Sequence, residues 1–215
     1  MAIMPRPKAI LQSEFPYHIS ARCVNKEWFA LPMQKVWEIM ERHLYFLCIG
    51  FNVRIHLFVL MNNHFHLILS TPSANISQSM AYFMKATSDE ITYQTGRINQ
   101  TYGARHYKTI IKSHHYFLNA YKYVYRNPVD AGLAKRVELY PYSTLSGLLG
   151  YQPLLIPLEE DSTLFSDELG TIKWLNESPC EQDRHSVREA LKKQYFTLSN
   201  DRVTRRRNNL EIDLL

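Results

Sequence analysis

The apolar side chains of residues 17–128 recur with alternating strand and helix periods, and this alternation constrains the fold of the chain most strongly. A period of two predicts strands over residues 17–24 and 64–70. The pair Asn62-Asn63 predicts a turn directly before the second of these strands. A short run rich in β-forming residues, 105–112, predicts the last strand.

Three segments carry the helical spacing instead. The first follows Pro32 and places Met33, Val36, Trp37, Met40 and Leu44 at three- and four-residue steps. A second helix is expected to end at Gly96, and a third, over residues 114–127, is expected to stop at Pro128. Between the first two helices, the apolar stretch 44–60 predicts two strands, or one strand with a bend.

The resulting order, β-α-β-β-α-β-α, predicts an α+β fold. We expect a ferredoxin-like or RRM-like palm, in which helices pack on one face of an antiparallel sheet. Residues 1–150 are predicted to form the functional domain. Residues 151–215 are predicted to be an extension, with an acidic linker, one late helix and a basic C-terminal tail.

Composition excludes several classes of protein. No apolar run reaches the ~18 residues that span a bilayer, and the first residues lack the apolar core of a signal peptide, so the expected location is cytoplasmic with no membrane partner. The three cysteines form no CxxC pair, which argues against a disulfide framework and a cysteine zinc site.

Charge is distributed unevenly along the chain. Residues 104–136 contain seven Lys or Arg against one acid, whereas residues 151–183 contain eight acids against one lysine. A basic segment of this kind favours a phosphate-bearing partner, although solvated basic surfaces are common. The candidate DNA contacts are Arg105, Lys108, Lys112, Lys122 and Arg126, with Arg205, Arg206 and Arg207 in the C-terminal tail.

The segment His64-Phe65-His66 is a candidate metal site. On a strand both imidazoles point to the same face, about 7 Å apart by the rise per residue, and can share a cation. An isolated HxH pair is more often two ordinary half-buried histidines, and such pairs occur in several classes of metal site. The motif alone therefore names no reaction.

Tyr121, Tyr123 and Tyr125 compete as a nucleophile on the third helix. At about 100° per residue, Tyr121 and Tyr125 fall on the apolar side of that helix, whereas Tyr123 projects among polar residues with Asn127 beside it at i+4. Tyr123 is therefore the candidate nucleophile. The simpler interpretation is a half-buried aromatic residue with its hydroxyl at the surface.

The side chain of Asn127 is the candidate third ligand, although an Asn before a proline is often only a turn residue. Two imidazoles and one amide oxygen leave coordination positions open, which suits Mg²⁺ or Mn²⁺ better than structural Zn²⁺. Such a cation polarises a scissile phosphate while a phenol attacks phosphorus. The sequence names no general base for this step.

Several segments resemble the REP-associated tyrosine transposases, within the single-tyrosine HUH (IS200-like) transposase superfamily. They lie within about residues 15–150. The segments are Tyr17-His18-Ile19, residues 61–68 around the two histidines, the run 123–133 that begins Tyr-Val-Tyr-Arg-Asn-Pro-Val, and Tyr140-Pro141-Tyr142-Ser143-Thr144.

The resemblance implies cleavage of single-stranded DNA next to a hairpin, such as a REP-like palindrome. It implies a 5′-phosphotyrosine intermediate and Mg²⁺ or Mn²⁺ as cofactor. By position, His64 and His66 match the metal-binding pair, Tyr123 the nucleophile and Asn127 the third ligand. Relatives act as monomers or homodimers, so both states stay open. Alternatives are a domesticated hairpin-binding protein without catalytic use and, less favoured, an RNA-binding module.

Overall fold

The computed structural model describes residues 10–200 and 206–215, and a single antiparallel sheet stands at the centre of this part of the chain. Its strands are β1 (Tyr17–Arg22), β2 (Arg54–Met61), β3 (His64–Ser70) and β4 (Tyr107–Ile110), in the order β2-β3-β1-β4. With one helix between β1 and β2 and another between β3 and β4, this is ferredoxin-like topology. The predicted α+β class and antiparallel sheet are confirmed.

The helices follow the predicted order as far as the third. They are α1 (Met33–Phe51), α2 (Ile76–Thr95), α3 (His114–Asp130), α4 (Thr144–Leu148), α5 (Ser162–Ser166), α6 (Glu168–Asn176) and α7 (Glu181–Ala190). Gly96 ends α2 with a φ of +63°, as the sequence predicts. No helix in residues 10–200 and 206–215 has the length and apolar character needed to cross a membrane.

Helices cover both faces of the sheet. On one face, Ile19 and Phe65 of the central strands pack with α1 and α2 in one buried cluster. On the other face, Leu57 and Ile68 pack with Val124 of α3 in a second cluster. The expectation that helices lie on one face therefore holds for α1 and α2 only. The sheet is apolar on both sides at β2 and β3, so each side requires a cover.

The stretch 44–60 is only half strand. Helix α1 continues to Phe51 and β2 begins at Arg54, so the expectation of two strands here is wrong for residues 44–51. The buried Leu44 and Leu47 continue the helical spacing, but Tyr45, Phe46 and Ile49 are exposed apolar residues that hide it in the sequence. Asn52, in the left-handed conformation, ends the helix.

Helix α3 passes through Pro128 and ends at Asp130, two residues beyond the proline. Proline removes one backbone donor. The helix nevertheless continues, since the Ala131 N–H donates to the Asn127 carbonyl and the Leu133 N–H to the Pro128 carbonyl. The predicted stop at Pro128 is wrong, and Asn127 lies inside the helix.

The segment after residue 150 is packed against the palm. Leu164, Leu175, Val187 and Phe196 are buried in the same cluster as α3 and β2. In the described part of residues 151–215, three α-helices form where the sequence predicts a single late helix. The apolar side chains of the predicted extension therefore complete the second core.

Candidate functional site

The cavity around β3 and α3 brings together all four predicted catalytic and metal-binding residues. His64, His66, Tyr123 and Asn127 line one cavity of about 850 Å³, which we call the histidine cavity. The His64 and His66 rings are 5.1 Å apart between centroids, and the Tyr123 ring meets that of His66 edge-on at 6.0 Å. Tyr123 thus lies on the same side of the sheet as both imidazoles.

The hydrogen bond of His64 settles which of its ring nitrogens is available. His64 Nδ1 lies 2.8 Å from Asn63 Oδ1, in the turn that opens the strand. Because an amide oxygen only accepts, Nδ1 carries the proton and Nε2 keeps its lone pair. Burial lowers the pKa of His64 to about 4, so the ring is neutral at neutral pH. Fixing one nitrogen in this way is typical of metal-ligating histidines.

A third histidine, His18, supports His66. His18 Nε2 and His66 Nδ1 share a hydrogen bond of 2.9 Å, and the two rings stack at 5.2 Å. Both side chains are buried, and burial lowers the pKa of each, to about 3 for His18. When His66 Nδ1 donates in this bond, Nε2 of His66 keeps its lone pair and is the ring atom for a ligand. His18 is not among the site residues predicted from the sequence, although it lies in the Tyr17-His18-Ile19 segment that resembles the transposases.

Asn127 supplies one further donor atom. Its amide nitrogen donates to the Tyr123 carbonyl at 2.8 Å, so Oδ1 is its remaining polar atom. Across residues 10–200 and 206–215, no three His, Cys, Asp or Glu side chains are arranged to hold a metal ion. The available donor set is therefore two neutral imidazoles and one amide oxygen. It fits a cation that keeps several coordination positions for water or substrate oxygens.

Tyr123 is half-buried, and its hydroxyl makes no hydrogen bond within the described part of the chain. Burial raises the pKa of its phenol, whereas the positive charges of Arg188, Arg184 and Arg22 oppose that rise. Tyr121 and Tyr125 are buried with about 1% of their surface exposed, as their helical phase predicts. Of the three competing tyrosines, Tyr123 is the one that reaches the cavity.

Basic side chains from separate segments surround the cavity. They outnumber Asp130 and Glu181, the two acids that also line it. The basic residues come from the end of β1 and the turn after it, from the loop before β4, and from helix α7 and the turn that follows it. These residues are Arg22, Lys26, Arg105, Arg184, Arg188 and Lys192. Only Arg105 was predicted from the sequence. The others lie far from Tyr123 along the chain, and no sequence pattern relates them to it.

The remaining predicted DNA contacts lie elsewhere. Lys108 is half-buried on β4, and Lys112 lies 4.1 Å from the centre of the Tyr195 ring. Neither lines the histidine cavity, and neither do the exposed Arg206 and Arg207. Arg205 lies outside the described residues.

Lys122 and Arg126 are buried, with 2% and 3% of their surface exposed. The Lys122 ammonium packs over the Trp174 ring at 5.1 Å. Arg126 donates to the Leu175 carbonyl at 3.0 Å and pairs with Asp130. Neither is positioned to contact a phosphate, so this prediction is corrected: helices after residue 150 cover the side of α3 that carries them.

Comparison with known proteins gives a likeness in fold. No family model and no curated protein matches the sequence. The chain is similar to the solved structure of a REP-associated tyrosine transposase bound to a REP hairpin, with a TM-score of 0.58 and 19% identity, over 73% of this chain and 93% of that one. A crystal structure from Deinococcus radiodurans, provisionally named a transposase, matches at a TM-score of 0.39 and 12% identity, over 56% of this chain and 95% of that one, too weakly to support a conclusion.

Proposed function

We propose that the chain is a transposase-like, metal-dependent endonuclease and strand transferase that acts on single-stranded DNA next to a hairpin. The observation that carries the proposal is the convergence of Tyr123 with His64 and His66 on one cavity with a basic rim. The likeness in fold to a protein bound to a REP hairpin supports DNA as the partner.

Tyr123 is the nucleophile in this proposal. Its hydroxyl oxygen forms a bond to phosphorus while the bond from phosphorus to the 3′-oxygen breaks. The products are a 5′-phosphotyrosine and a strand with a free 3′-hydroxyl, which takes up a proton as the phenol loses one. Reversal of the step with a different 3′-hydroxyl transfers the strand.

His64 and His66, through their Nε2 atoms, and Asn127, through Oδ1, would hold Mg²⁺ or Mn²⁺. When bound, the cation neutralises charge on the scissile phosphate and on the departing oxygen. His18 keeps the His66 ring oriented through its hydrogen bond to Nδ1. Arginines of the rim attract and hold the phosphate backbone.

The test is covalent capture. Wild-type protein is incubated with a labelled oligonucleotide that carries a hairpin and a single-stranded flank, with Mg²⁺ or Mn²⁺, and adducts stable to denaturing electrophoresis are counted. Tyr123→Phe is expected to abolish the adduct, since the attacking oxygen is lost, while hairpin affinity stays within about twofold. Tyr107→Phe is the matched control, because Tyr107 is exposed and lines the same cavity.

An adduct of normal yield from Tyr123→Phe would reject the nucleophile, and its loss from Tyr107→Phe instead would transfer the role to Tyr107. A wild-type protein that binds the hairpin but yields no adduct with either metal would favour the alternative, a hairpin-binding protein without catalytic use. The observation that favours this alternative is that, among residues 10–200 and 206–215, no three His, Cys, Asp or Glu side chains are arranged to hold a metal ion.

A further inference from the structure

Helix α7 turns one face toward the histidine cavity. The residues of this face and of the turn that follows recur at helical steps along the cavity wall: Glu181, Arg184, His185, Arg188 and Lys192. The opposite face holds Val187 and Ala190, which are fully buried in the second core. The helix is therefore amphipathic, with its polar face lining the site and its apolar face anchored.

The segment that follows α7 is bonded to the edge of the sheet. The Thr109 hydroxyl donates to the carbonyls of Leu191 and Lys193, at 2.7 Å each. The Ile110 N–H donates to the Gln194 carbonyl, and the Phe196 N–H donates to the Ile110 carbonyl. These bonds cover strand β4 and hold α7 in place, so its cations are positioned before any ligand arrives.

Two arginines on this face are available to an anion. Arg188 is exposed and forms no ion pair among the described residues. Arg184 lies 3.7 Å from Asp130, whereas Arg126 holds the same carboxylate at 3.0 Å. The Asp130 charge is thus already matched, and the pairing with Arg184 is loose.

We propose that the exposed face of α7 binds the backbone of single-stranded DNA, with Arg184 and Arg188 holding the phosphates that enter the cavity beside Tyr123. The inference rests on the proposed function and names the element that delivers the strand. Tyr123 is half-buried, so a phosphate must enter the cavity to reach it. An unpaired strand can do so along a positively charged groove, as single-strand binding sites do.

The experiment measures binding without cleavage. Fluorescence anisotropy is recorded with the hairpin and flank oligonucleotide in excess chelator, using full-length protein at several salt concentrations. Arg184→Gln and Arg188→Gln are each expected to weaken affinity about tenfold, since each removes a charge-assisted bond. Each also reduces the slope of log affinity against log salt by about 0.7, the value for one contact on a single strand.

Two matched variants separate this role from general effects. Arg188→Lys keeps the charge and is expected to retain affinity within about threefold. Lys173→Gln removes one exposed charge from helix α6 in the same segment but outside the cavity, and is expected to leave affinity unchanged. Neither arginine is buried, so each variant is expected to keep the fold. Thermal unfolding of each variant checks this.

If wild-type protein binds while both Gln variants keep its affinity and salt slope, the role of α7 is wrong and the proposed nuclease stands. A loss of affinity in the Gln variants that is confined to an RNA strand of the same sequence would assign the face to RNA and overturn the DNA proposal. Failure of wild-type protein to bind any single strand would overturn the proposed function itself.

Discussion

The two ends of helix α3 face two cavities of opposite character. Tyr123 and Asn127, near the C-terminal end, line the histidine cavity of about 850 Å³. Phe117 and Tyr121, nearer the N-terminal end, line a second cavity of about 420 Å³, which we call the acidic cavity. Its acidic lining residues are Glu14, Glu159, Glu160 and Asp161.

The difference shows how surroundings decide what a tyrosine can do. The Tyr121 hydroxyl donates to Asp161 at 2.7 Å, and burial together with the nearby negative charge raises the pKa of its phenol strongly. At Tyr123, the charges of Arg188, Arg184 and Arg22 oppose the rise that burial and Asp130 cause in the pKa of the phenol, and the hydroxyl has no partner among the described residues. The Tyr121 hydroxyl thus stabilises the fold through its hydrogen bond, whereas the Tyr123 hydroxyl has no such structural role among the described residues. Segments distant in sequence supply the charges in both cases.

The largest expected effect concerns the two imidazoles. His64→Ala or His66→Ala should lower metal-dependent cleavage by at least about a hundredfold, because a first ligand of the cation is lost. Binding of Mn²⁺, followed by calorimetry or electron paramagnetic resonance, should weaken in parallel. His56→Ala is the matched control, since His56 is a part-buried histidine of the acidic cavity bonded to Ser70. If His64→Ala and His66→Ala both keep the wild-type affinity for Mn²⁺, the metal does not bind in the histidine cavity.

A smaller effect, on stability alone, is expected from the tyrosines that face away. Tyr121→Phe removes the partner of a buried carboxylate and should lower the free energy of unfolding by about 1–3 kcal/mol, measured by urea denaturation. Tyr125→Phe loses a bond to the Thr144 hydroxyl and should cost about 1 kcal/mol. Adduct yield per folded molecule should not change for either variant. Loss of the adduct from either variant would show that the tyrosines on the buried face of α3 also take part in the reaction, contrary to the assignment of Tyr123 alone.

The sequence predicts the elements around the histidines best. Strand β3 has the bounds expected from its alternation, and the Asn62-Asn63 turn precedes it. Apolar periodicity is informative where one face is buried and the other is polar. It fails in α1, where the exposed Phe46 and Ile49 remove the contrast between the faces.

The site was predictable only where its residues share a local element. The spacing of His64 and His66, and the helical phase of Tyr123 and Asn127, predict that each pair shares one face of its element, and the fold brings the two pairs to one cavity. No local pattern connects Arg188 with Tyr123, because core packing after residue 150 places both at the same cavity. The same packing buries Lys122 and Arg126, whose charges suggested an exposed basic surface.

The smallest expected effect is that of the acidic cavity on hairpin affinity. The double variant Glu159→Gln, Glu160→Gln removes two negative charges from its lining. The ten residues from Phe117 to Asn127 span about 15 Å of helix, which exceeds the screening length of ~8 Å at physiological salt. Hairpin affinity at that salt should therefore change by less than about twofold.

At ~0.01 M salt the screening length grows to ~30 Å, and the same variant should bind the hairpin a few-fold more tightly than wild type, because repulsion between the acids and the phosphates then reaches the other end of α3. The control Glu168→Gln, Glu177→Gln removes the same charge from exposed positions outside both cavities. A tenfold gain at physiological salt, confined to the first variant, would mean that the strand passes over the acidic cavity. The division of α3 into a DNA-facing end and a structural end would then be wrong.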